Sequence, residues 1–344
     1  MIDEVHKFIN EGRNRKATDV HICADTAVMF RIDGNLRRAT QKPVPPEVAR
    51  KLCYALLTDE QIEMFERTGD LDLMLTENEG RYRINIARNN GAVGAVIRLL
   101  PERPWQLDAL NLPETVRELT RRSKGLILLT GSTGQGKTTT MAAMIDEINR
   151  TQRKHIITIE DPIETVHENK NSLIRQREVG KDTESFNKGL RAALRQDPDV
   201  IAIGEMRDYE TIRIALTAAE TGVLVMSTLH VISIDKLIER LLSYVPPEEE
   251  GHIRNLLADC LQGIIHQELL PTVDGDKRVA CEILTTSAAV RNIIRRRGTY
   301  MLRSIIQTGS RQGMIAMSQS ISALLAEEVI SPDVAESILY NYAM

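Results

Sequence analysis

The sequence predicts an α/β nucleotide-binding domain on a parallel central sheet, preceded by a smaller α+β domain. Three observations lead there. Residues Gly131 to Thr138, GSTGQGKT, match the phosphate-loop pattern GxxxxGK[ST]. Continuous apolar runs at Gly125–Thr130, His155–Glu160, Val200–Ile203 and Val223–Leu229 alternate with helical stretches, as in a parallel sheet covered on both faces. A chain of 344 residues has room for two domains at roughly 150 residues each.

The first domain is expected over residues 1–100. Val5 to Asn10 starts a helix. Asp19–Cys23 and Val28–Ile32 read as short strands, and Asp33-Gly34 is a hairpin turn signal. Pro45–Leu57 reads helical, with Pro46 in the first turn. Arg81–Arg88 alternates as a strand does, and Ala92–Leu100 reads as its partner. Pro101, Pro104, Trp105 and Pro113 mark a linker over residues 101–112. The second domain is expected over residues 113–344. Its helix Thr138–Ile148 follows the phosphate loop directly. Beyond about Ile234 the chain reads as mainly helical, apart from a hairpin around Val273-Asp274-Gly275-Asp276.

Composition narrows the function classes. The 44 basic and 48 acidic residues leave a net charge of −4, so no excess positive charge points to a phosphate-backbone partner. No nucleic-acid partner is expected. Cys23, Cys53, Cys260 and Cys281 form no CxxC pair, so neither a zinc site nor a redox motif is suggested. They read as the reduced cysteines of a cytoplasmic protein. No signal peptide pattern opens the chain and no apolar run approaches ~18 residues, so direct membrane insertion is not expected.

The phosphate loop explains its own spacing. Successive backbone N–H groups must wrap a β-phosphate, and only glycine lets the backbone come that close. Gly131, Ser132, Thr133, Gly134, Gln135, Gly136, Lys137, Thr138 and Thr139 are the candidate nucleotide-binding residues. Lys137 supplies charge for the β- and γ-phosphates of ATP, and the Thr138 hydroxyl a ligand for magnesium. The helix that follows points its positive N-terminus at the anion.

Hydrolysis also needs a carboxylate beside the phosphates. Glu205 follows the apolar run Val200–Gly204, and the C-terminal end of a central parallel strand borders the ligand crevice. It is the first candidate for the catalytic carboxylate. Glu160, Asp161 and Glu164 place three carboxylates within five residues at another strand end. Such a cluster calls for a cation among them, either magnesium or a neighbour's arginine; Glu160 is the magnesium candidate. His230 ends the run Val225–Leu229, where it could sense a γ-phosphate or stand as a satisfied structural histidine. Arg81 and Arg83, two apart on a strand, share a face. Either that face is simply exposed, or the pair completes a neighbouring subunit's site as arginine fingers. Arg195, Arg207 and Arg213 are lesser candidates.

Taken together, these motifs resemble the secretion-type ATPases, and within them the PilT-like type IV pilus retraction ATPases. The stretches that carry the resemblance are GSTGQGKTTTMAAMIDEIN (131–149), IITIEDPIETVHE (156–168), LRAALRQDPDVIAIGEMRDYETI (190–212), ALTAAETG (215–222), TLH (228–230) and QTGSRQGM (307–314). TDVH (18–21) and RIDGNLRR (31–38) extend it toward the N-terminus. The resemblance implies a PAS-like domain followed by a RecA-like motor domain, assembled as a homohexamer. It implies that Glu164 closes an acidic box, Glu205 is the Walker B glutamate, His230 belongs to a histidine box, and Arg81 and Arg83 face a neighbour's nucleotide. It further implies ATP hydrolysis coupled to pilus retraction, an inner-membrane platform protein as partner, a paralogous ATPase as a second possible partner, and a cytoplasmic location peripheral to the inner membrane.

Two positions depart from the family pattern. The histidine that usually follows TAAETG is Val223 here, and the family's AIRNLIRE stretch appears as Ala289–Arg296, with a base, Arg296, in place of the final acid. These departures keep open an accessory, PilU-like or regulatory ATP-binding ring subunit. A motor that moves DNA or a secreted substrate is a separate alternative, and the near-neutral charge and lack of a basic tract speak against it.

Overall fold

The computed structural model describes residues 1–77, 80–100 and 103–343. It comprises two compact units, Met1–Arg103 and Pro104–Met344.

In the first unit α1 (Ile2–Asn14) precedes β1 (Asp19–Ile22), β2 (Met29–Ile32) and β3 (Asn35–Arg38); α2 (Pro46–Tyr54) and α3 (Asp59–Thr68) follow, then β4 (Asp70–Glu77), β5 (Gly80–Asn89) and β6 (Ala92–Leu100). The strands form an antiparallel sheet in the order β3-β2-β1-β6-β5-β4. The alternation of β5 sets which face is buried. Tyr82, Ile84 and Ile86 are fully buried with Val5 and Ile9 of α1 and Leu52 of α2. At roughly 1.5–3 kcal/mol per buried apolar side chain, that face outweighs any other arrangement of the strand. Asp33 and Gly34 both take left-handed φ, at 52° and 78°, the two-residue turn that the sequence marks.

α3 and β4 form where the sequence suggested no element, although α3 carries local start and stop signals. The Thr58 side chain accepts from the Gln61 N–H, the Gln61 side chain accepts from the Thr58 N–H, and Gly69 ends the helix at φ 76°.

The second unit begins with a 3₁₀ turn at Leu107–Leu110 and α4 (Glu114–Thr120). Then come β7 (Gly125–Thr130), α5 (Lys137–Thr151), β8 (His155–Glu160), β9 (Leu173–Glu178), α6 (Phe186–Ala193), β10 (Val200–Glu205), α7 (Tyr209–Thr221) and β11 (Leu224–Leu229). The remainder is α8 (Ile234–Leu242), α9 (Glu250–Cys260), β12 (Leu261–Pro271), β13 (Lys277–Thr285), α10 (Ala288–Arg295), α11 (Leu302–Thr308), α12 (Met317–Ala326) and α13 (Pro332–Ala343). The sheet runs β13-β12-β7-β11-β10-β8-β9, and every adjacent pair is parallel except β12 with β13. Along β7, Leu126 and Leu128 enter one core, while Ile127 and Leu129 enter the other. That is why its sequence is apolar throughout.

The expectation of a mainly helical end after Ile234 needs correction. The hairpin is far longer than its turn suggested, and it extends the central sheet, with β12 lying parallel to β7. Gln262, His266, Gln267 and Glu268 break up the apolar pattern of β12, so periodicity did not reveal it. Of the stretch 101–112, residues 101 and 102 lie outside the described residues. Leu107 is buried beside Val116 and Ile148 in the second unit's core.

Candidate active site

The loop between β7 and α5 is shaped by its glycines. Gly131 has φ 142°, and a Cβ there would lie 2.6 Å from the Gln267 carbonyl oxygen on β12. Gly136 caps α5 at φ 80°. The loop therefore turns sharply into the helix, so that the first N–H groups of α5, which have no intrahelical partner, open onto it. Lys137, in the first turn, is buried. Its ammonium donates to the carbonyls of Gly131 at 2.8 Å and Ser132 at 2.7 Å. Burial lowers its pKa, and the nearby Glu205 carboxylate partly opposes that. Thr138 and Thr139 come next, both half-buried or nearly so.

Parallel pairing gathers the remaining candidates. β7, β11, β10 and β8 are consecutive and parallel, so their C-terminal ends share one edge of the sheet. That edge carries the phosphate loop after β7, His230 after β11, Glu205 at the end of β10 and Glu160 at the end of β8. A cavity of about 730 Å³ opens there, lined by Ser132, Thr133, Glu205, Arg207, His230 and Tyr244 among others. His230 Nδ1 lies 3.3 Å from the Lys137 ammonium. An ammonium only donates, so Nδ1 accepts and the ring proton sits on Nε2. Nε2 in turn is 3.9 Å from Glu205 Oε2, too long for a hydrogen bond. Partial burial and the Lys137 charge hold the His230 pKa below its ordinary value of 6.5.

Arg207, a lesser candidate in the sequence, meets the strand-end carboxylate. Its Nε lies 2.5 Å from Glu205 Oε2. Two positions beyond the strand end, it returns to the carboxylate because β10 stops at Glu205, and Met206 is buried in the core. The acidic segment is arranged differently. Glu160 accepts from Thr158 Oγ1 at 2.5 Å and from Gln176 Nε2 at 3.0 Å, while Glu164 is half-buried in the segment after β8. Neither is among the residues lining the cavity. No group of three or more His, Cys, Asp or Glu suited to a metal ion occurs among the described residues.

Arg81 and Arg83 belong to the first unit, on the face of β5 opposite Tyr82, Ile84 and Ile86. Asp72 on β4 binds Arg83 through both carboxylate oxygens, at 3.3 and 2.6 Å. Arg81 Nε donates to Thr76 Oγ1 at 3.2 Å.

Val223 lies away from this cluster. It immediately precedes β11, whereas His230 immediately succeeds it. Six strand residues separate them, roughly 20 Å. Within one subunit, position 223 therefore lies at the edge of the sheet opposite the cavity.

A family model described as type II/IV secretion system protein matches residues 1–331. The chain is 42% identical over 329 residues to the type IV pilus retraction ATPase PilT of Pseudomonas aeruginosa, covering 95% of this chain and 96% of that one. It is 32% identical over 330 residues to the type IV pilus ATPase PilU of the same organism, covering 95% and 86%. Among solved structures, the pilus retraction motor PilT with bound ADP superposes with a TM-score of 0.86 at 41% identity, covering 96% of this chain and 95% of the other.

Proposed function

The chain belongs to the type II/IV secretion system protein family, and from that premise we propose that it is an ATP-hydrolysing motor of type IV pilus retraction. One observation carries the reading most directly: a phosphate loop, a strand-end carboxylate and a histidine share one cavity. ATP is the substrate and ADP the product that the loop would bind, as the similar PilT structure binds ADP.

In this reading the loop amides and Lys137 hold the phosphates, and Lys137 exchanges its two carbonyl partners for phosphate oxygens. Thr138 would hold magnesium, with Glu160 behind it; the ion supplies charge neutralisation on the phosphates. The hydroxyl in the first helical turn suits that role, whereas Glu160 is already bound by Thr158 and Gln176 and would act as a support. Glu205 orients and deprotonates the attacking water. Arg207 occupies Glu205 Oε2, so it would turn toward the nucleotide before that oxygen can meet the attacking water. Glu164 is retained as an acidic-box residue of the same crevice. Arg81 and Arg83 would complete a neighbour's site in a homohexamer, at an inner-membrane platform protein.

The accessory reading, in which this chain is a PilU-like or regulatory subunit beside an active paralogue, drew on Val223. The distance of that position from the cavity removes the simplest reason for an inactive site. Steady-state ATP hydrolysis across a range of protein concentrations, with Glu205→Gln alongside, tests the motor reading. Specific activity should rise with concentration and the variant should be inactive. A wild type that binds ATP yet turns over no faster than Glu205→Gln refutes the motor reading.

A further inference from the structure

We propose that Tyr342, on α13, is a positioning residue for the phosphate loop and acts through the buried His266 of β12. The proposal rests on the loop being a nucleotide site.

The connection is a chain of hydrogen-bond contacts. The Tyr342 hydroxyl contacts His266 Nε2 and lies 3.4 Å from Glu268 Oε1. On the other side of the ring, His266 Nδ1 lies 2.9 Å from Thr130 Oγ1. A neutral imidazole has one donor and one acceptor nitrogen, so either tautomer joins Thr130 to Tyr342 through the ring. His266 is fully buried, and burial pushes its pKa down to about 4, in keeping with a neutral ring.

Thr130, at the near end of this relay, adjoins the loop itself. It is the last residue of β7, and Gly131, the next residue, offers its carbonyl to Lys137. β12 is joined to the loop region at further points. The Gln267 side chain donates to Thr140 of α5 at 2.9 Å, and the Leu269 N–H donates to Gln135 Oε1 at 2.5 Å. The Gln267 carbonyl packs where a Cβ on Gly131 would stand. The loop therefore rests on β12, and a helix far away in sequence fixes the ring that joins strand to loop. Without the Tyr342 hydroxyl, the partner left to Nε2 among the described residues is Glu268, 3.8 Å away and beyond hydrogen-bond reach, so the ring is no longer held on that side.

Tyr342→Phe removes that oxygen and little else. The test measures binding of a fluorescent ADP analogue, KM and kcat for ATP, amide hydrogen exchange over residues 131–137, and melting temperature. The expected result is ADP binding and KM weakened roughly fivefold, the size of one net hydrogen bond. The kcat should stay near wild type, loop exchange should be faster, and melting should be little changed. His266→Leu should give a similar loss, and the double variant no more than either single one. Wild-type ADP binding and loop exchange in Tyr342→Phe overturn the proposal, as do losses that add in the double variant. A wild type that binds no nucleotide instead strikes the reading of the loop itself, and the proposal falls with it.

Discussion

Lys137 holds its charge against two carbonyls of its own loop and a neutral histidine nitrogen. Contacts to phosphate, where both partners carry charge, would exceed these bonds from the ammonium to neutral acceptors. Lys137→Ala should weaken ADP binding by about 100-fold, since two charged hydrogen bonds of roughly 1.5 kcal/mol are lost. Glu205→Gln should do the reverse, keeping ADP binding while lowering turnover by about 10²–10⁴-fold. Equilibrium binding and steady-state hydrolysis on the same preparations separate the two. His230 supplies a pH test. Its pKa lies below the ordinary value of 6.5, so the ring is neutral at pH 7 and gains a proton only as the pH falls. A protonated ring repels Lys137, so kcat/KM should fall on the acid side below 6.5. In His230→Gln that acid limb should be absent from the pH profile.

Elements decide how tightly the loop is held. β12 lies against β7 along its length, and the Gly131 backbone and the Gln267 carbonyl meet with no space for a side chain. Gly131→Ala combines that clash with a φ of 142°, which an L-residue does not adopt without strain. It should destabilise the protein by about 1–3 kcal/mol and abolish measurable ADP binding, read by chemical denaturation and fluorescence titration. Gly136, with open space around it, is a milder case in which only the backbone conformation resists substitution.

At the scale of the whole molecule, Arg81 and Arg83 lie in the first unit and the phosphate loop in the second. Arg83 already has a bidentate partner in Asp72, and such exposed pairs contribute little to stability. If Arg81 and Arg83 serve a neighbour, replacing both with alanine should keep ADP binding and slow hydrolysis by about 10³-fold. Unchanged turnover would leave them as local braces of β5 and β4. None of the described helices is long and apolar enough to cross a membrane.

The phosphate loop, the parallel strands β7, β8, β10 and β11, and the strand-end positions of Glu205 and His230 were legible in the sequence, whereas β9 was not. Each is governed by local rules: glycine spacing, apolar runs and the residue after a run. The alternation of β5 likewise announced its buried face. What the sequence could not disclose depends on which strands become neighbours. β12 joins β7 across more than 130 residues, and its polar side chains are acceptable in the interior only because Thr130, Thr140 and Tyr342 meet them there. Arg207 looked like one arginine among several until the end of β10 brought it onto Glu205. Val223 looked like damage to the site until parallel pairing put it at the far edge of the sheet. Short-range patterns report what a residue prefers, but the packing of strands distant in sequence decides what it touches.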